Sequence, residues 1–385
     1  MHIIIYHPNS FGGTYDYSIL IFEAFQKHPR IEKCTLLLPE NAAYTGANVE
    51  KILMKDVVTG HKLYKKLHFL SRSFLNPLLL WWYVRGKKAN IIFDEFEQIT
   101  SFFWSPLFRW TKPKGHLYGV ILHDPDRDAY PPNQTIAELS MRWIMDSMDV
   151  AIYHELLPKK KYYPQDRGIH YVSSHLGIYR EFTPSEKLFQ ELVAQKTAEQ
   201  KIAVMIGNIR QEKNYHLAIE SLVAFPQLKL LIAGRAANSG VDTGLYKKQA
   251  ETLGVADRII WIERFLSDED LAAVVAASDI VLLNYSATFK SQSAALCMVA
   301  PYKKLLLASA GESALAAAVK RYEIGVLATP DDLEAMKKGL EELLNNSDAT
   351  KVSQHWDKFL ASNTWETNVD IAVKAFEMVQ ARKQK

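Results

Sequence analysis

The residues with the most chemical content lie just after short apolar runs. In VMIGNIRQEKNYHLAIESL such a run ends in Gly207, Arg210 and Lys213 follow three residues apart, and a helical pattern then begins. Two cations beside a helix N-terminus suit a diphosphate. Free main-chain amides and the positive helix end face the oxygens, arginine forks onto two of them, and lysine adds a point charge. An exposed basic turn would satisfy the same spacing. The next apolar run ends in LLIAGRA, where Gly234 would let a flat group approach. In the first half, YGVILHDPDRDAY carries His123 and Asp124 at the end of a run. An imidazole titrating near neutrality suits proton transfer or a grip on a sugar hydroxyl. The competing reading makes Asp124 or Asp126 a turn cap and His123 a packing partner. Glu95, Glu97 and His154 also follow apolar runs, but nothing in their spacing demands a role. Reading Asp94 with Glu95 and Glu97 as a glycosidase pair fails because a strand-end loop does not fix their separation.

A third motif is HPNSFGGTYDYS, between HIIIY and the helical pattern of ILIFEAF. Gly12 and Gly13 there would allow a ligand phosphate close to the backbone, although a tight turn explains two glycines as well.

Stepping along the chain, runs rich in Ile, Val and Leu alternate with segments of helical period, the pattern of parallel sheets covered by helices. The strands expected in the first half are Ile3–Tyr6, Thr35–Pro39, Asn90–Asp94, Tyr118–His123 and Val150–His154. Those in the second half are Ile202–Ile206, Leu228–Ala233, Ile259–Ile262, Ile280–Asn284, Lys304–Ala308 and Gly325–Ala328. At 385 residues the chain exceeds what one core normally serves. The expected architecture is therefore α/β with two doubly wound, Rossmann-like domains facing a cleft. Their bounds are 1–178 on the acceptor side and 179–365 on the nucleotide side, with a helix over 366–385 packing back on the first. Ligands of such sheets bind beyond the C-terminal strand ends, where all three motifs fall.

The order of elements from RIIWIERFLSDED through DIVLLN to GVLATPDD resembles the nucleotide-binding half of family 4 glycosyltransferases, which have the GT-B fold. The family's G-x-[IL]-x-x-x-K element, which binds the donor diphosphate, is matched by Gly207, Ile209 and Lys213. The usual Arg after the Gly is Asn208 here, and Arg210 fits a variant with Arg three residues before the Lys. The family's Glu, seven residues, Glu signature is missing, since no acidic residue occurs between Asp279 and Glu312. NYSATFKSQSAAL stands in its place, resembling members with a Ser- or Gly-rich loop. The resemblance implies a diphosphate site of Gly12, Gly13, Arg210, Lys213, Ser291 and Ser293. It implies nucleotide contacts from Gly207, Gly234, Arg264, Phe265, Asn284 and Ser286. His123 and Asp124 would be catalytic. Tyr15 is placed with the acceptor, and SSHLGIYREF resembles the HxGxxxxF element that brings His175 and Gly177 to the domain junction; a hinge turn with a packed histidine is the plainer alternative. The implied activity moves a sugar from a nucleotide-diphosphate sugar to a glycan or lipid-linked acceptor, with no metal and no other cofactor. The missing acidic signature keeps open a non-catalytic GT-B subunit of a glycan assembly complex, and an epimerase of similar architecture is a third reading.

Composition sets the remaining bounds. A net charge of +3 and no recognisable binding motif argue against nucleic acid. Cys34 and Cys297 lie in apolar runs and read as reduced core residues, and the opening MHIIIYHP lacks the features of a signal peptide, so a cytoplasmic location is expected. Basic residues cluster over residues 61–88 around FLNPLLLWWYV, too short to span a bilayer. That segment is expected either to sit peripherally on the inner face of a membrane, with aromatics in the headgroups, or to be a core-facing helix with a solvated basic side.

Overall fold

The computed structural model describes residues 1–384 except 57–58, 129–130, 239 and 347–348. The chain divides into two units, Met1–Gly177 with Thr364–Lys385, and Ile178–Asn363. In the first, strands β1 (His2–Tyr6), β2 (Lys33–Pro39), β3 (Val49–Leu53), β4 (Asn90–Phe93), β5 (Tyr118–Leu122), β6 (Val150–His154) and β7 (His170–Ser174) form one sheet in the order β3-β2-β1-β4-β5-β6-β7. Helices α1 (Gly13–Lys27), α2 (Lys62–Val84), α3 (Ser101–Thr111) and α4 (Gln134–Met145) lie between them. In the second unit β8 (Lys201–Ile206), β9 (Leu228–Ala233), β10 (Ile259–Ile262), β11 (Ile280–Asn284), β12 (Leu305–Ser309) and β13 (Val326–Ala328) run in the order β10-β9-β8-β11-β12-β13. Its helices are α5 (Glu186–Val193), α6 (Tyr215–Ser221), α7 (Thr243–Thr252), α8 (Asp268–Ala277), α9 (Ala294–Val299), α10 (Ala314–Tyr322), α11 (Leu333–Asn346) and α12 (Ala349–Ser362). All the strand pairs are parallel.

Helices on both faces of a parallel sheet explain why β1 reads IIIY and β4 reads NIIF without polar alternation: these strands are buried throughout. All the runs expected as strands overlap one. Two further strands, β3 and β7, lie at the outer edges of the first sheet. Their sequences, VEKIL and HYVSS, carry charged or polar residues because an edge strand has water beside it, which erased the apolar signal. On α1, Ser18, Ile21, Phe22 and Phe25 recur at helical spacing and are buried; each Phe contributes about 2 kcal/mol by leaving water. Cys34 and Cys297 are buried thiols that form no disulfide.

The chain's last helix, α13 (Trp365–Gln384), belongs with the first unit. Its face of Val369, Val373 and Phe376 is buried, and it packs on α1, β6 and β7. Lys383 ties its end to Asp149 at 2.5 Å, and Arg30 reaches Glu377 at 2.6 Å.

In each sheet the strand order reverses beside the first strand, between β1 and β4 and between β8 and β11. A switch point opens a crevice at the C-terminal strand ends, and the loops that border it come from the two flanking strands.

Candidate functional site

In the second unit those loops follow Ile206 and Asn284. Lys213 closes a single turn of 3-10 helix, Gln211–Lys213, and folds back so that its Nζ donates to the Ile206 carbonyl at 2.6 Å. The side chain is sheltered, with only 9% of the residue exposed. Burial, then the neighbouring Arg210 cation, pull its pKa down to about 7. Among the described residues no carboxylate forms an ion pair with it. The ring of Tyr285 lies 6.0 Å from its ammonium, and Arg210, exposed, begins the same turn. A buried cation without a counter-charge is costly, and a bound anion would relieve that cost.

The first unit gathers a row of side chains along adjacent strand ends. His7, just past β1, donates from Nδ1 to one oxygen of Asp94 at 2.7 Å. His123, just past β5, donates from Nε2 to the other at 2.9 Å, and the Nε2 of His154 in β6 lies 3.4 Å from His123 Nδ1. Burial alone would lift the Asp94 carboxyl, but the two histidines more than reverse this and hold it at about 2. Burial likewise opposes charge on His123, and Asp94 outweighs it, so His123 is raised. His154 is pushed down to about 3 by burial and then by the neighbouring His123 and His175. A neutral His123 gives its Nε2 proton to Asp94 and accepts at Nδ1 from His154. A charged His123 donates at both ends and forces His154 into its other tautomer. The row can therefore take up or release one proton while all three contacts persist. Beside it, burial lifts Glu97 to about 7 although Tyr6 donates to it at 2.6 Å.

Residues 187–360 match the family model described as "Glycosyl transferases group 1". Over the full chain, the sucrose-phosphate synthase of Thermosynechococcus elongatus superposes with a TM-score of 0.69 at 15% identity, covering 100% of this chain and 98% of that one. Anabaena HepE, solved in complex with UDP-glucose, gives 0.67 at 15% identity over 99% and 100%. The fold is GT-B, and the group 1 match lies within the second unit, over less than half of this chain. A curated relative, D-inositol 3-phosphate glycosyltransferase of Mycobacterium ulcerans, is 23% identical over 209 residues, 52% of this chain. That match spans 44% of the relative's own length, less than half of it.

Within the GT-B frame, the expected phosphate residues divide. Gly207, Arg210 and Lys213 come together after β8. Ser293 instead caps α9, accepting from Leu296 N at 3.4 Å, and its hydroxyl meets Tyr285 Oη at 3.0 Å with the residue buried. Its side chain is committed to the fold, and α9 is only six residues long. Ser291 is half-buried just before it. Gly12 has a φ of 98° and is the N-cap of α1, so the backbone demands glycine there. Gly13 has open space where a Cβ would stand.

Several expected nucleotide contacts are spent elsewhere. A Cβ on Gly234 would stand 2.1 Å from the Gly207 carbonyl oxygen, so the protein's own loop requires that glycine. Asn284 is buried, its amide donating to Asn214 O at 3.1 Å and its oxygen accepting from Ser309 at 2.7 Å. Ser286 holds the two loops together through its N–H to Glu212 O at 2.8 Å, and its hydroxyl meets Thr288. Asp331 braces the same region, accepting from Asn214 Nδ2 and from Ala287 N, each at 2.8 Å. Arg264 pairs with Asp270 at 2.6 Å, and Phe265 is exposed beside Arg235.

In the first unit the carboxylate that meets His123 is Asp94. Asp124 accepts from Asp126 N at 3.3 Å and shapes its turn, while Lys160 holds Asp126 and Asp128. Tyr15 is buried with its hydroxyl accepting from Tyr44 N at 2.9 Å. His175 is buried and its main chain hydrogen-bonds His154. Gly177 lies under Trp365, whose ring a Cβ would meet at 2.3 Å, so packing accounts for that glycine. Sequence reasoning missed His7 and undervalued Asp94 and His154; their common signal is a polar residue at the last position of, or just beyond, adjacent buried strands. Among the described residues no group of three His, Cys, Asp or Glu is placed to hold a metal ion.

Proposed function

We propose that this chain is a metal-independent glycosyltransferase that moves a sugar from a nucleotide-diphosphate sugar to a glycan or lipid-linked acceptor. Lys213 carries the reading: a buried ammonium with no carboxylate partner among the described residues, at the switch point of a parallel sheet, with Arg210 three residues before it. The family match over residues 187–360 and the likeness to a fold solved with UDP-glucose support it. In this reading Arg210 and Lys213 neutralise the departing diphosphate, the task a divalent cation performs elsewhere. The His7, Asp94, His123 and His154 row holds a sugar or acceptor hydroxyl and buffers its proton.

The test is calorimetric titration with UDP, GDP and ADP and their glucose conjugates, followed by assay for nucleotide diphosphate release with and without acceptor. Arg210→Ala with Lys213→Ala should weaken the best-binding nucleotide diphosphate at least tenfold; unchanged affinity removes the phosphate site. A non-catalytic GT-B subunit is the second reading, favoured by the acid-free stretch between Asp279 and Glu312. Tight nucleotide binding with no turnover on any acceptor would select it.

A further inference from the structure

Helices α2, α3 and α4 each bury one apolar stripe and expose another. On α3, Trp104 and Phe108 are buried, while Phe103 and Trp110, seven residues apart, face outward with Trp110 80% exposed. On α4, Met141 and Ile144 are buried, while Leu139 and Trp143 are exposed. On α2, Leu80 and Val84 are buried, while Leu63, Leu67, Leu70 and Trp82 are exposed, Trp82 at 71%. A helix that needed only to cover a sheet would be polar on its second face.

The three outer stripes are neighbours. The ring of Phe74 on α2 lies 5.5 Å from that of Phe103 on α3. Trp81 donates from its indole to the Thr111 hydroxyl at 2.8 Å, fixing α2 against the end of α3. Trp110 and Trp143 line one depression between α3 and α4 with Arg109. Within residues 61–88, α2 thus buries Leu80 and Val84 in the first unit's core and leaves other apolar side chains exposed. Of the two tryptophans, Trp81 serves the fold and Trp82 is left in water, as are Tyr64 and Phe69 on the same helix.

Charge identifies what would cover this face. No acidic residue occurs from His61 to Lys88 or from Ser101 to Tyr118, whereas Lys62, Lys65, Lys66, Arg85, Lys87 and Lys88 flank the α2 stripe. On α3 the cations are already paired, Lys112 with Asp149 at 2.7 Å and Arg109 with Asp146 at 3.8 Å, so the uncompensated positive charge is that of α2. Glu138 on α4 and Asp146 in the depression beside Trp110 and Trp143 are acidic, so it is the α2 stripe, rimmed by one sign of charge, that matches a surface with an acyl interior beneath anionic headgroups. No helix among the described residues is long and apolar enough to cross a membrane, so contact would be interfacial.

We infer that the outer face of α2, α3 and α4 docks on an anionic lipid bilayer, inserting Trp82, Trp110 and Trp143 at headgroup depth. The inference is independent of the activity proposed above. The test is sedimentation of the full chain with vesicles of phosphatidylcholine alone and of phosphatidylcholine with phosphatidylglycerol, at low and high salt, with tryptophan emission read in parallel. Binding should be at least tenfold stronger on the anionic vesicles, fall with salt, and carry a blue shift. Trp110→Gln with Trp143→Gln should remove most of the blue shift. Lys62→Glu with Lys65→Glu and Lys66→Glu, all at exposed positions, should remove the anionic preference without changing the melting temperature. No binding to anionic vesicles at low salt, or equal binding to both compositions, overturns the inference. A dimer by light scattering that the tryptophan variant returns to monomer, without vesicle binding, overturns it in favour of a second copy.

Discussion

The carboxylate of Asp94 meets the imidazole of His123 at 2.9 Å across neighbouring strand ends, and its other oxygen is taken by His7. Asp94 is fully enclosed, so it is the fixed charge against which both imidazoles are set. Asp94→Asn should lower the His123 pKa, read by NMR of labelled histidine. Stability should fall by about 3 kcal/mol, the usual cost of removing one partner from a buried ionic contact. An unmoved His123 titration would separate the two residues functionally.

Acid stability follows from the same contact. The folded carboxyl titrates at about 2 against its ordinary 3.8, so in that interval the unfolded chain binds more protons. Its contribution is complete above the ordinary value and is lost as pH falls towards 2. Denaturant melts from pH 5 to 2.5 should show a steep decline that Asp94→Asn flattens. Parallel curves for the two proteins would count against the charge assignment.

Lys213 makes the opposite demand. Its ordinary value is 10.5 and the folded one about 7, so between those limits the unfolded chain again holds the extra proton and stability rises with pH. Lys213→Met should remove that slope. An anion at the site would restore the charge, so binding a nucleoside diphosphate at pH 8 should take up close to one proton. Calorimetry in two buffers of different ionisation enthalpy measures this directly, and an uptake of zero contradicts a role for Lys213 as phosphate ligand.

The glycines separate architecture from ligand binding. Gly177→Ala should destabilise by about 2 kcal/mol, because a methyl would overlap the Trp365 ring. Gly12→Ala should cost about 2 kcal/mol, because a φ of 98° with a ψ of 173° is a conformation essentially confined to glycine. Gly13→Ala begins a helix in open space and should be neutral or stabilising by up to about 1 kcal/mol. A loss of donor binding confined to the Gly13 variant would mean that a ligand approaches there.

Much of this organisation was legible in the amino-acid order, for identifiable reasons. Strands covered on both faces announce themselves as unbroken apolar runs, so β1, β4 and β8 were plain, whereas edge strands β3 and β7 were hidden by the polarity their position allows. Lys213 was readable because its chemistry is local, seven residues after the strand it folds back upon. The partnership of His123 was not, because Asp94 lies 29 residues away in sequence and only the parallel pairing of β4 with β5 brings the two strand ends side by side. Asp124, adjacent in sequence, took its place in that reading. Ser293 and Asn284 were drawn into the diphosphate and nucleotide groups by the resemblance, when the fold had already used their hydrogen bonds.

The residence of α13 in the first unit has a consequence for the order in which this polypeptide can mature. The sheet that begins at residue 2 lacks the cover supplied by Val373 and Phe376 until residues 365–384 are made, while the second sheet is complete by Asn363. The second sheet therefore has all its own helices before the first receives α13. A stop after Asn363 would spare every strand of both sheets and still strip β6, β7 and α1 of the helix that covers them.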